Sequence, residues 1–266
     1  MANIPSKIDL PIETLCIRSE IIHFDTLNST NTYLMDNHYY PSGTVVLTDH
    51  QTAGRGRGKR IWKSPRADSL LFSILLREDL KKRPIFTFTF LAAISVHEGL
   101  KPFIAGHSLY LKWPNDILLD SKKVCGILVE VKQDRDDYSD IVVGIGININ
   151  QSPDFFKKEM KNGTSLFSAL NREQSRTVIL NSVLKSIDAN LARMKKDGES
   201  FILEIWKSLC PSLHKNISIT DGVQTYTGIF SDIDRHGGLI LNYNGVKKVF
   251  YAGDVSIKKE DIQCSS

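Results

Sequence analysis

Apolar residues recur at three-and-four spacing at Leu180, Leu184, Ile187, Leu191 and Met194, which predicts a helix ending near Gly198. A second helix presents Phe201, Ile202, Ile205, Trp206 and Leu209, and Pro211 stops it. Earlier in the chain the period shortens. Residues 21–24, 43–48 and 70–76 are apolar runs of strand length, and Asn28, Ser29 or Thr30 is placed to cap a short helix through Tyr33, Leu34 and Met35. Residues 84–100 fit two patterns: Phe86, Phe88 and Phe90 alternate as in a strand, while Pro84 and the run 91–96 suit a helix, the preferred reading. Residues 109–150 read as consecutive strands over 109–113, 117–119, 124–132 and 141–149, with a turn at Asp120 and Ser121. Connections this short predict largely antiparallel pairing.

After Pro211 the texture changes to short β-rich pieces. Turn signals at Asp221-Gly222, His236-Gly237-Gly238, Asn244-Gly245 and Gly253-Asp254 space them as in a small barrel. The expected fold class is therefore α+β: a mixed, largely antiparallel sheet flanked by helices over residues 1–211, and a small β-barrel domain over 212–266. The length of 266 residues suits one medium domain with an appendage, or two domains.

Composition narrows the class further. Hydrophobic residues at 41% and charged residues at 24% exclude collagen-like, disordered and membrane-spanning chains. No apolar run approaches the roughly 20 residues of a spanning helix, and residues 1–20 lack a basic start followed by an apolar stretch, so no membrane partner and a cytoplasmic location are expected. Cys16, Cys125, Cys210 and Cys264 are scattered without a C-x-x-C pair, which predicts reduced, packing cysteines rather than a disulfide framework or zinc site. The histidines show no metal-ligand spacing, and no metal ligands are assigned. A net charge of +4 is too mild to argue for nucleic acid.

The positive charge is concentrated in one loop. Gly54-Arg55-Gly56-Arg57-Gly58-Lys59-Arg60-Ile61-Trp62 combines glycines that let backbone approach a ligand with cations able to face an anion. It is not a Walker A loop, which would need Gly at 53 and Ser or Thr at 60, where Ala53 and Arg60 stand. Nor is it a dinucleotide fingerprint, because Lys59 occupies the last glycine position. The loop alone is equally a carboxylate or phosphate site, a solvated basic turn, or a nucleic-acid contact. Further on, Lys112-Trp113-Pro114-Asn115-Asp116 ends one strand and opens the next, with Pro114 forcing a turn at the sheet edge. Glycines interrupt apolar strands at Gly126, Gly144 and Gly146, marking either bulges or a ligand lying on the sheet.

Together these stretches resemble biotin protein ligases, which attach biotin to a lysine of carboxylase carrier domains. The match is carried by Asn28-Ser29-Thr30-Asn31, residues 51–62, 112–116, 126–130 and 144–148, in the family's order. Asn28 stands where the family usually has Asp, and Lys59 where some members have glycine. The resemblance implies the biotin/lipoate ligase catalytic fold, similar to class II aminoacyl-tRNA synthetases, followed by an SH3-like barrel. Members that double as repressors carry a helix-turn-helix arm ahead of this domain; about 20 residues precede the first catalytic strand here, too few for that module, so a form without the arm is expected and DNA binding is not. ATP and magnesium would serve activation of biotin as biotinyl-5'-AMP, and a biotin carboxyl carrier domain would be the protein partner; a homodimer is left open.

By resemblance, Ser29, Thr30, Asn31, Gln51, Arg55, Gly56, Arg57, Lys112 and Gly126 hold biotin. Arg57, Arg60, Trp62, Asn115, Asp116 and Asn148 hold the nucleotide, and Lys112 and Arg57 carry the chemistry. A lipoate ligase or related acyltransferase is the nearest alternative. A nucleic-acid binder using the basic loop is the alternative of another class.

Overall fold

The computed structural model describes residues 5–9, 14–18, 20–37, 39–133 and 138–257, and Cys264 lies outside them. An eight-stranded sheet in the order β1-β2-β3-β4-β8-β7-β6-β5 is built from β1 (Ser6–Asp9), β2 (Glu20–Phe24), β3 (Val45–Thr48), β4 (Ser69–Glu78), β5 (Leu109–Lys112), β6 (Asp116–Leu119), β7 (Lys122–Gln133) and β8 (Ser139–Asn148). Only β2 and β3 run parallel, across the helix α1 (Thr30–Asp36); every other neighbour is antiparallel, as the short connections require.

Period-two alternation assigns the two faces. Along β4, Leu70, Phe72, Ile74 and Leu76 join the main core, whereas Leu75 packs with Leu34 of α1 on the opposite side. Against the main-core face lie α2 (Ile85–Leu100) and, beyond two short helices α3 (Pro153–Glu159) and α4 (Leu166–Leu170), the long α5 (Arg176–Asp197) and α6 (Ser200–Ser208). The residues that alternate like a strand in α2 are there because it is buried almost all round: Phe88 and Phe90 are both 1% exposed, and Phe90 stacks on Trp206. Asp188 of α5 ties down the chain ahead of β2 by accepting from the backbone N–H groups of Leu15, Cys16 and Ile17.

Between α6 and the next strand the chain changes sheets. Strands β9 (Asn216–Thr220), β10 (Thr225–Ile233), β11 (Leu239–Tyr243), β12 (Val246–Phe250) and β13 (Asp254–Ile257) form an antiparallel sheet in the order β12-β11-β10-β9-β13, with Phe230, Leu239 and Leu241 at its centre. The second sheet is tied to the rest of the chain by Trp113, just past β5, whose Nε1 donates to Gly237 O at 3.0 Å, and by Lys207 of α6 with Asp232 of β10 at 2.5 Å. Among the described residues no helix is long and apolar enough to cross a membrane.

Candidate functional site

Cross-strand register brings the interrupted strands into one row. Leu71 of β4 pairs with Gly146 of β8, Gly146 with Gly126 of β7, Gly126 with Asp116 of β6, and Asp116 with Lys112 of β5. Directly opposed residues share a face, and strands lie about 4.8 Å apart, so the row is a shallow trough with Lys112 at its sheet-edge end. Parallel to it runs Ser73, Gly144 and Leu128. Above both lies a cavity of 400 Å³, the size of a small-ligand pocket.

The strand glycines are neither bulges nor empty ground. A Cβ on Gly126 or Gly146 would stand 2.9 or 2.8 Å from the Trp62 ring, and one on Gly144 would coincide with the Asn31 amide. Trp62 therefore lies flat on the trough, its buried Nε1 without a hydrogen-bond partner, while Lys123 stands 5.7 Å from its ring centre and 2.6 Å from Asp116. Gly144→Ala is expected to lower stability by about 1 to 3 kcal/mol through overpacking. An unchanged urea midpoint would contradict that contact.

At the other end of the cavity the polar groups are neutral. Ser29 caps α1 by accepting from Thr32 N–H, which leaves its own hydroxyl proton to donate. Thr30 N–H donates to Gln51 Oε1 at 2.8 Å, leaving the Gln51 amide N–H₂ on the cavity wall. Asn31 Nδ2 donates to Leu128 O and Glu130 Oε2 at 3.1 and 2.8 Å, so both its donors are used within the protein. What it has left to present is its carbonyl oxygen, which lies 2.6 Å from Ser73 Oγ.

The basic loop folds into a tight hairpin over this cavity, with Gly56 N–H on Arg60 O, Trp62 N–H on Gly54 O and a bridge between Arg55 and Ile61. Its cations point to separate anchors. Arg55 pairs with Glu130 at 2.7 Å, Arg57 donates to Asn115 Oδ1 at 3.2 Å, Arg60 pairs with Asp254 of β13, and Lys63 pairs with Glu159 of α3 at 2.9 Å. Burial holds Arg57 below the ordinary guanidinium range and Lys112 below the ordinary ammonium range, with Asp116 opposing the shift in each.

Ser29, Thr30, Asn31, Gln51, Arg55, Gly56, Arg57, Arg60, Trp62, Asn115, Asp116 and Gly126 all line the cavity. Two expected residues do not. Lys112 stands at the end of the trough, half-buried. Asn148 is 1% exposed, donates to Thr164 O and accepts from Gln151. Lys123 and the α3 wall of Phe155, Glu159 and Met160 were not anticipated. The start of α3 was signalled by Ser152 as a cap, Pro153 at the first helical position and Asp154 in the first turn.

Comparison with known proteins gives this geometry a family. Residues 23–148 match the biotin/lipoate A/B protein ligase family, and residues 213–258 match the biotin protein ligase C terminal domain. The bifunctional ligase/repressor BirA of Bacillus subtilis is 33% identical over 256 residues, spanning 95% of this chain and 78% of that protein. The biotin acetyl-CoA-carboxylase ligase of Mycobacterium tuberculosis is 30% identical over 217 residues, covering 80% and 78%. Among solved structures, the biotin protein ligase from Aquifex aeolicus in complex with biotin and ATP superposes with a TM-score of 0.75 at 29% identity, covering 89% of this chain and 97% of that one. Sequence identity over nearly the whole chain and the shared fold lead to one conclusion: the chain belongs to the biotin protein ligase family.

Proposed function

We propose that this enzyme joins biotin to ATP as biotinyl-5'-AMP and passes the biotinyl group to a lysine of a biotin carboxyl carrier domain in the cytoplasm. The observation that carries the reading is the glycine trough, walled by neutral polar groups at one end and by cations at the other. A ureido head needs paired, uncharged partners when buried, and Ser29, Thr30, Gln51 and the Asn31 carbonyl supply them beside Gly126. Arg55 and Gly56 cover the acid, Arg57 and Lys112 face its carboxylate and the α-phosphoryl group, and Arg60, Trp62, Asn115 and Asp116 border the nucleotide. We place the domain boundary near residue 212, and the second domain enters the site through Asp254 on Arg60.

In the first step a carboxylate oxygen attacks the α-phosphorus, the bond to the β-phosphate breaks, and pyrophosphate leaves. Repulsion between the acid and the triphosphate opposes it. A single charge pair at 4 Å is worth roughly 4 kcal/mol at an effective dielectric near 20, so two or three site cations match the scale of the problem. In the second step the neutral amine of the carrier lysine attacks the acyl carbon, AMP departs with the bonding electrons, and the amine sheds a proton. Among the described residues no three carboxylates, imidazoles or thiols converge on one point. Asp116, held 2.6 Å from Lys123, is the carboxylate on the cavity wall that would face a magnesium ion carried by the triphosphate, and such an ion would neutralise phosphate charge.

The test is direct. Incubated with ATP, biotin and a carrier domain, the protein is expected to label the target lysine, and to do so far better with biotin than with lipoate. Labelling by lipoate alone would turn the reading toward a lipoate ligase. Salt-dependent nucleic-acid binding without any biotin reaction would abandon it.

A further inference from the structure

The polar groups beneath the neutral end lie in a row from Gln51, just ahead of the basic loop, to Arg55 within it. Gln51 Oε1 accepts from Thr30 N and, at 3.2 Å, from Thr30 Oγ1. Thr30 Oγ1 lies 2.6 Å from Ser73 Oγ, and Ser73 Oγ lies 2.6 Å from Asn31 Oδ1. Asn31 Nδ2 donates to Glu130 Oε2 at 2.8 Å, and Arg55 Nη2 donates to that same oxygen at 2.7 Å. Glu130 is the carboxylate that Asn31 and Arg55 share.

The Arg55 side chain is 43% exposed, so packing does not fix it; its pairing with Glu130 does. Asn31 cannot swing freely either, because its second donor is held by Leu128 O on the strand that carries Glu130. The Thr30 and Ser73 hydroxyls carry one proton each, so the three oxygen contacts between Gln51 and Asn31 are not all hydrogen bonds at once; the continuous stretch runs from Asn31 through Glu130 to Arg55, and a ligand that draws on the Asn31 carbonyl acts on hydrogen bonds that polarise one another there. We propose that Glu130 is a positioning residue: occupation of the head-group pocket is relayed through Asn31 and Glu130 to Arg55, so that bound biotin sets the loop for the nucleotide. This inference rests on the biotin-ligase reading of the site.

The quantity to measure is the ratio of affinities for a non-hydrolysable ATP analogue with and without biotin, by calorimetry. The wild-type protein is expected to bind the analogue about fivefold or more tightly when biotin is present, a common size for coupling between sites. In Glu130→Gln the ratio is expected to fall to within about twofold of one, with biotin affinity itself changed by less than about threefold. Arg55→Met, on the half-exposed loop, is expected to abolish the ratio equally, and the double variant to add nothing. The pair is 43% exposed at Arg55 and 24% at Glu130; because partly exposed ion pairs contribute little to folding, the melting temperature is expected to stay put. A full ratio in Glu130→Gln, additive losses in the double variant, or a wild-type ratio of one would each overturn the inference and leave the site reading intact. A wild-type protein that takes up no biotin would bring down both.

Discussion

Replacing Lys112 by Met is expected to slow pyrophosphate release at saturating biotin and ATP by about 100-fold or more, the scale seen when one preorganised donor to developing charge is removed. The register leaves little freedom in where Lys112 stands: it closes the row that runs through Asp116, Gly126 and Gly146. No hydrogen bond or ion pair within the described residues holds its Nζ. Burial lowers its pKa, so the folded protein binds this proton less tightly than the unfolded chain does. Its charge therefore costs stability below the folded pKa, and the cost is relieved as pH rises through that value toward the ordinary lysine range. Methionine removes the cost, so at neutral pH the melting temperature is expected to hold or rise while catalysis collapses. A variant that loses melting temperature and rate together would recast Lys112 as a structural residue.

Arg57→Ala is expected to produce the second largest effect, and a different one: adenylate that escapes. Ordering the seven residues from Gly54 to Arg60 costs roughly 7 to 14 kcal/mol of backbone entropy, and the pairings to Glu130, Asn115 and Asp254 offset only part of it. Contact between Arg57 and the phosphoryl group is expected to supply much of the remainder and to keep water from the mixed anhydride. Without that guanidinium, the first step is expected to slow by about 10-fold to 100-fold. Much of what forms is expected to appear as free biotinyl-5'-AMP rather than as labelled carrier. Chromatography of the reaction mixture separates the two, and a variant that slows while releasing no free adenylate would refute the shielding role.

Much of this was legible in the chain itself. The strand runs, the cap at Ser29, the turn at Asp120 and Ser121 and the helix ending at Gly198 follow from local chemistry, and each stands close to where local pattern puts it. The candidate site residues were legible as stretches rather than as a geometry. Gly126, Gly144 and Gly146 announced that something needs room on the sheet, but not that the occupants are Trp62 and Asn31, which come from the loop and from α1. Asn148 shares a strand with Gly144 and Gly146, which line the cavity, but its own amide is taken up by Thr164 and Gln151, contacts that no local pattern shows. The anchor of Arg60 on Asp254 was beyond reach, since 194 residues separate them and no periodicity links a loop to a second domain.

The most direct test of the account is a crystal structure with biotinyl-5'-AMP bound. The account predicts the ring system at the Ser29 and Gln51 end, the phosphoryl oxygens within hydrogen-bonding distance of Lys112 Nζ and the Arg57 guanidinium, and residues 54–60 closed over the anhydride. A ligand seated elsewhere, with those residues turned to solvent and Lys112 untouched, would contradict it.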